Sequence, residues 1–123
     1  MEIWILGSAS EKLRILKNFG EKSSGILLGH KRAESFIVED LLPLKKIELN
    51  SEEFISSLLS KIEFLGFYTF DEKDFENLPQ YLYGNVILRI SGGEIKGYFV
   101  EFGDGNSPKM VEISVLILNR GSK

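Results

Sequence analysis

The chain has 123 residues, of which 43% are hydrophobic, 11% aromatic and 27% charged, the size and profile of one ordinary globular domain. Fifteen Lys and Arg against eighteen Asp and Glu leave a formal net charge of -3, and the cations are scattered in short pairs such as Lys31-Arg32, which speaks against nucleic acid as a partner. Cysteine is absent, so disulfides, thiolate zinc sites and a cysteine nucleophile are excluded.

The first ten residues, "MEIWILGSAS", carry Glu2 where a signal peptide would carry positive charge. No apolar run approaches the roughly 20 residues that span a bilayer. The expectation is therefore a single domain over 1–123, cytoplasmic, without a membrane partner. Glu and Lys dominate the charges while Gln occurs once, a bias found in proteins of hot environments.

Glu2 to Leu6 reads as a short apolar strand. Ser8 and Glu11 then have capping-box spacing, and Leu13, Ile15, Leu16 and Phe19 give the helix that follows an apolar face before Gly20 stops it. "SSGILLG", Ser23 to Gly29, is apolar without alternation, as in a central strand, with "HKR" as a polar turn after it. "ESFIVEDLLPL" pairs with it as a hairpin whose second strand lies nearer an edge, because Pro43 cannot donate to a ladder.

Asn50 and Glu53 repeat the capping-box spacing, and Phe54, Ile55, Leu58, Leu59 and Ile62 form a helical stripe. Phe64 to Phe70 is a second unbroken apolar strand, running into the loop "DEKDFENLPQYLYG". "NVILRISGGEIKGYFVEF" is a hairpin turning at Gly92-Gly93, and Met110 to Leu118 is a last strand. The order predicts an α/β or α+β fold, a mixed curved sheet packed with two main helices.

Few residues suggest chemistry. His30, the single histidine, sits beside a turn and reads as a surface side chain, since a zinc site needs three or four ligands. Ser23, Ser24 and Ser91 lie in no nucleophile elbow. Asp71, Glu72, Asp74 and Glu76 follow the strand at Phe64 and could offer oxygen ligands to a hard cation, but they lack the spacing of a calcium loop and read as a solvated loop around Lys73. The glycines of "SGGE" and "GDGN" read as turns, since neither opens a helix after a strand. Phe67, Tyr68, Phe70, Phe75, Tyr81 and Tyr83 concentrate aromatic surface around the acidic loop. They read as core, or, for Phe70, Phe75, Tyr81 and Tyr83, as a protein-docking surface.

The succession "SSGILLGHKRAESFIVEDLLPL", a helix, "FLGFY", and "GNVILRISGGEIKGYFV" resembles the JAMM/MPN domain family across nearly the whole chain. The resemblance implies a JAMM/MPN-like, cytidine-deaminase-like three-layer arrangement. Active members of that family are zinc isopeptidases, with a glutamate base, two histidines and an aspartate as ligands, and a serine. Matching the motif to this sequence puts Lys22 at the base, Thr69 and Asp71 at the histidines, Pro79 at the serine and Leu82 at the ligand aspartate. Neither Lys22 nor Leu82 can serve those roles.

The resemblance thus implies the metal-free, catalytically inactive branch: no cofactor, no metal and no catalytic residue. The function expected is a structural or protein-interaction module that pairs with itself, with another MPN-type chain or with a ubiquitin-like protein. The competing expectation is a divergent metal-dependent isopeptidase or hydrolase using Asp71, Glu72 or Asp74 with Glu21 as base. A small-ligand pocket between helix and sheet is a third.

Overall fold

In a computed structural model of the chain, the described residues are 1–18, 24–44, 63–71, 83–91, 93–103 and 108–118. Among them are seven strands and one helix: β1 (Glu2–Leu6), α1 (Gly7–Asn18), β2 (Ser24–Arg32), β3 (Ser35–Leu44), β4 (Phe64–Thr69), β5 (Val86–Ser91), β6 (Glu94–Phe102) and β7 (Pro108–Leu118). The strands close into a barrel in the order β1-β3-β2-β4-β5-β6-β7.

Local pairing and long-range pairing build different parts of this ring. The β2–β3, β5–β6 and β6–β7 pairs are antiparallel neighbours in sequence, and β2 also pairs antiparallel with β4. The remaining contacts are parallel: β4 with β5, and β1 with both β3 and β7. β1 is thus the seam of the barrel, with Glu2 opposite Ser35 on one side and Ser114 on the other.

The interior is filled by side chains that alternate along each strand. Ile3 and Ile5, Val38, Leu27, Tyr68, Val86, Leu88 and Ile90 form one buried cluster, which Ala9 and Leu13 of α1 join. Helix α1 follows β1 without a linker and lays this apolar face against β1, β3 and β7. Ile26, Phe67 and Ile87 are also fully buried but alternate with the interior residues; they lie in register on the outer face of β2, β4 and β5.

β4 bends on its way through the sheet. Its register against β2 jumps from Leu27–Gly66 to Leu28–Phe64, leaving Leu65 as an extra residue, a β-bulge. Gly66 has φ of 151°, a conformation side-chain-bearing residues avoid, and a Cβ there would run into the backbone carbonyl of Val86. Glycine is what lets β5 come this close.

The barrel overturns the expected sheet packed with two main helices, and with it the three-layer JAMM/MPN-like arrangement. Apolar periodicity identifies strands but does not reveal that both edges of β1 find partners more than thirty and more than a hundred residues away. The helix expected over Asn50 to Ile62 lies outside the described residues. Pro43 sits opposite Gly25 of β2, beyond the four residues of β3 that pair with β1, so although β3 is not an edge of the ring, around the proline it pairs on one side only among the described residues.

Two boundaries also move. Ser8 is inside α1 rather than ahead of it, and its hydroxyl donates to the Glu39 carbonyl of β3 at 3.3 Å instead of capping. The segment "HKR" is not a turn but the end of β2, and the turn falls at Ala33 and Glu34, where Ala33 takes φ of 57°. The two hairpins stand as read, the second turning at Gly93 with φ of 85°.

Candidate functional site

β4 ends at Thr69, and the sheet around it places polar side chains in a single line. Ser24 of β2 is opposite Thr69, Thr69 is opposite Arg89 of β5, and Arg89 is opposite Lys96 of β6. Residues opposite one another project to the same face, so the four form a row across the outer surface of the barrel. The row grades from buried to open: Thr69 is 0% exposed and Ser24 2%, Arg89 is half-buried, and Lys96 is exposed.

At the buried end the hydroxyls satisfy one another. Ser24 Oγ lies 3.2 Å from Thr69 Oγ1, and Thr69 Oγ1 also accepts the Asp71 backbone N–H at 2.9 Å. The same oxygen is 3.2 Å from the Asp71 carbonyl. Burying hydroxyls is tolerable on these terms because the polar atoms retain partners.

At the open end lies a cleft lined by Arg89, Ser91, Glu94, Lys96 and Tyr98. The Arg89 guanidinium stands 5.6 Å from the centre of the Tyr98 ring, within cation–π range. Its Nε is shielded from water.

On the opposite, interior side of β4 the adjacent residue behaves differently. Tyr68 is fully buried, edge-on to Phe70 with ring centroids 6.3 Å apart, and among the described residues its hydroxyl has no hydrogen-bond partner. Burial pushes the phenol from 10.0 up to about 12, because the interior disfavours the phenolate. The ring crowds Gly25 of β2, where a Cβ would meet the Tyr68 ring edge and hydroxyl.

The residues singled out in the sequence distribute unevenly over this site. Thr69 and Asp71 come together through the Thr69 hydroxyl, and neither presents an imidazole. Lys22, Pro79, Leu82, Glu21, Ser23, Glu72, Asp74 and Glu76 lie outside the described residues, so the acidic loop beyond Asp71 does too. Among the described residues, no three His, Asp or Glu side chains converge as metal ligands. Phe67 and Tyr68 are core, Phe70 and Tyr83 are half-buried, and Phe75 and Tyr81 lie outside the described residues. Ser91 is exposed at the rim of the cleft.

His30 lies within β2, its Nδ1 3.0 Å from Glu39 Oε1 on β3. It lines a second, shallow cleft with Gly29, Glu39, Asp40 and Glu63. At the rim of the helix, Lys12 pairs with Asp40, and that pairing together with the Leu41 N–H holds the Asp40 carboxyl below its ordinary value.

Sequence reasoning missed Arg89, Lys96 and Tyr98. The signal was present in the alternation of "LRIS" and "EIKGY" about the Gly92-Gly93 turn, which places these residues on one face once the hairpin register is known.

No family model and no curated protein matches the chain. Among solved structures, it is similar to the solution structure of protein DSY2949 from Desulfitobacterium hafniense, a target of the Northeast Structural Genomics Consortium. The TM-score is 0.61 at 13% identity, over 94% of this chain and 92% of that one. The likeness is one of fold.

No described helix is long and apolar enough to cross a membrane.

Proposed function

We propose that the barrel is a protein-interaction module that acts by binding rather than by catalysis. The observation carrying this reading is the end of β7, where three consecutive aliphatic residues face water: Leu116 is 36% exposed, Ile117 51% and Leu118 40%. β1 pairs alongside, with half-buried Trp4 opposite Leu116 and half-buried Leu6 opposite Leu118. Leu116 and Leu118 share the outer face with Trp4 and Leu6, while Ile117, on the side of buried Ile5, is open at the end of the barrel; single exposed aliphatic residues are ordinary, but such a group around one strand end marks a contact surface.

Every strand of the ring already has a neighbour on each side. Among the described residues, however, 114–118 of β7 pair with β1 alone, the β6 register ending at Ile113, so an apolar segment of another chain is held there by side chains and can also pair along the second edge. The partner is a protein, either a second copy of this chain or a different one.

The test compares the wild type with Ile117→Asp and Leu116→Asp. Light scattering coupled to size exclusion reads self-association, and pull-down from the native cell followed by hydrogen exchange reads a foreign partner. The reading requires a complex that protects residues 116–118 and is lost in both variants while the melting temperature stays within a few degrees. A monomer whose captured proteins are the same with and without the aspartates rules it out.

A further inference from the structure

The antiparallel ladder between β6 and β7 stops at Gly97 and Ile113, although both strands run on, β6 from Glu94 and β7 to Leu118. Beyond that point the two part. Glu94, Ile95 and Lys96 pair with β5, and residues 114–118 pair with β1 in an unbroken register. On the inner side the parting is filled, since the Ile3 and Val115 side chains stand where a Cβ on Gly97 would go. Among the described residues, β7 thus presents a free edge, "SVLIL" from Ser114 to Leu118, with no charge, proline or bulge in it. Edges that stay single are blunted by such devices, because unpaired N–H and C=O groups are a template for pairing with another chain.

We propose that this edge is a dimer interface: it pairs antiparallel with the same edge of a second copy, about a two-fold axis at Leu116. The proposal rests on the reading of residues 116–118 as a contact surface, and it names the partner. A two-fold axis sets one patch against itself, so the fit is decided by what each residue meets. Ser114 lies opposite Leu118 of the other copy, Val115 opposite Ile117, and Leu116 opposite its twin, with Trp4 of each copy one strand further out. All three exposed aliphatic residues are covered at once, and no charge meets its like.

Charge complementarity continues past the edge. Exposed Glu112 lies two residues before Ser114 on the same face, and the sequence has Arg120 two residues after Leu118. Positions 112 and 120 are equidistant from Leu116, so the axis brings Glu112 of each copy level with Arg120 of the other. A foreign strand would have to match an apolar row flanked by charges of opposite sign; the chain's own strand does.

Because the chain has no cysteine, the register can be read by cross-linking. The full chain carrying Leu116→Cys or Ser114→Cys is mildly oxidised, and sedimentation equilibrium measures association of the wild type. Directly opposed residues have Cβ atoms about 5 Å apart, whereas the two copies of residue 114 would stand four residues apart along the strands, roughly 13 Å. Leu116→Cys should therefore form a covalent dimer at least about tenfold faster than Ser114→Cys. Glu112→Arg and Arg120→Glu should each weaken the dimer at least about fivefold, and the two together should restore it.

Equal cross-linking at 114 and 116, or a charge reversal that the double variant leaves unrepaired, overturns the proposal. A wild type that stays monomeric at about 1 mM, where even a weak interface associates, overturns it as well. The wider reading survives that result if a foreign protein is captured by the wild type and lost in Ile117→Asp.

Discussion

Tyr68 and Thr69 are neighbours in β4, both fully buried and both carrying a hydroxyl, yet the sheet treats them in opposite ways. Thr69 faces outward, where Ser24 and the Asp71 amide occupy its oxygen. Tyr68 faces the barrel interior, where its ring is packed against apolar residues and its hydroxyl has no partner among the described residues. The phenol is retained for its bulk and the threonine for its bonds. One residue of strand periodicity separates a group that fills space from a group that holds a site together.

The comparison can be broken most severely at Gly66, which lets the strand carrying both residues lie beside β5. Gly66→Ala should cost more than about 3 kcal/mol or prevent folding, read by urea denaturation. A variant that melts like the wild type would mean that β4 does not bend here.

High pH attacks the interior side alone. The Tyr68 phenol is raised in the folded state, so its proton stabilises the fold fully below the unfolded value of 10.0, and that stability is lost as pH climbs towards about 12. The slope should reach at most about 1.4 kcal/mol per pH unit. Chemical denaturation from pH 9 to 12 should show the loss in the wild type and its absence in Tyr68→Phe.

Removing the hydroxyls one at a time sharpens the contrast at neutral pH. Thr69→Val removes the hydrogen bonds that the Ser24 hydroxyl and the Asp71 N–H make to the Thr69 oxygen and should cost about 1–3 kcal/mol, whereas Tyr68→Phe should be neutral or stabilising by up to about 1 kcal/mol. Equal effects in urea melts would erase the distinction.

The smallest effect belongs to a pair on neither face. Lys12 and Asp40 are about half exposed, so Lys12→Ala should shift stability by less than about 1 kcal/mol. Because Asp40 is lowered, its contribution is present above 3.8 and is lost as pH falls through the folded value. The variant's deficit in thermal melts should therefore disappear in acid.

Much of the local structure was legible. β1, the two hairpins, the strand at Phe64 and the last strand follow from apolar runs punctuated by Gly92-Gly93 and by the polar residues after Gly29. What was not legible was closure. Nothing in "EIWIL" says that it pairs with residues 35–38 and with residues 114–118, since parallel pairing leaves no turn in the sequence to announce it. The expected sheet with two main helices and the JAMM/MPN-like layering failed at that point. The site was half legible: Thr69 and Asp71 were singled out, but the carboxylates beside them drew attention away from Arg89 and Lys96. Those two become a pair only through the β5–β6 register about the turn at Gly93, and the β4–β5 register then brings Thr69 into line with them.

The seam at β1 also sets an order of events in time. Glu2 must meet Ser114 and Leu6 must meet Leu118, so β1, synthesised before β7, waits for it before its second edge is covered. Contacts of such sequence separation are formed slowly, after local hairpins. During that interval β1, with Ile3 and Ile5 uncovered on one side, is the segment of this chain most in need of protection.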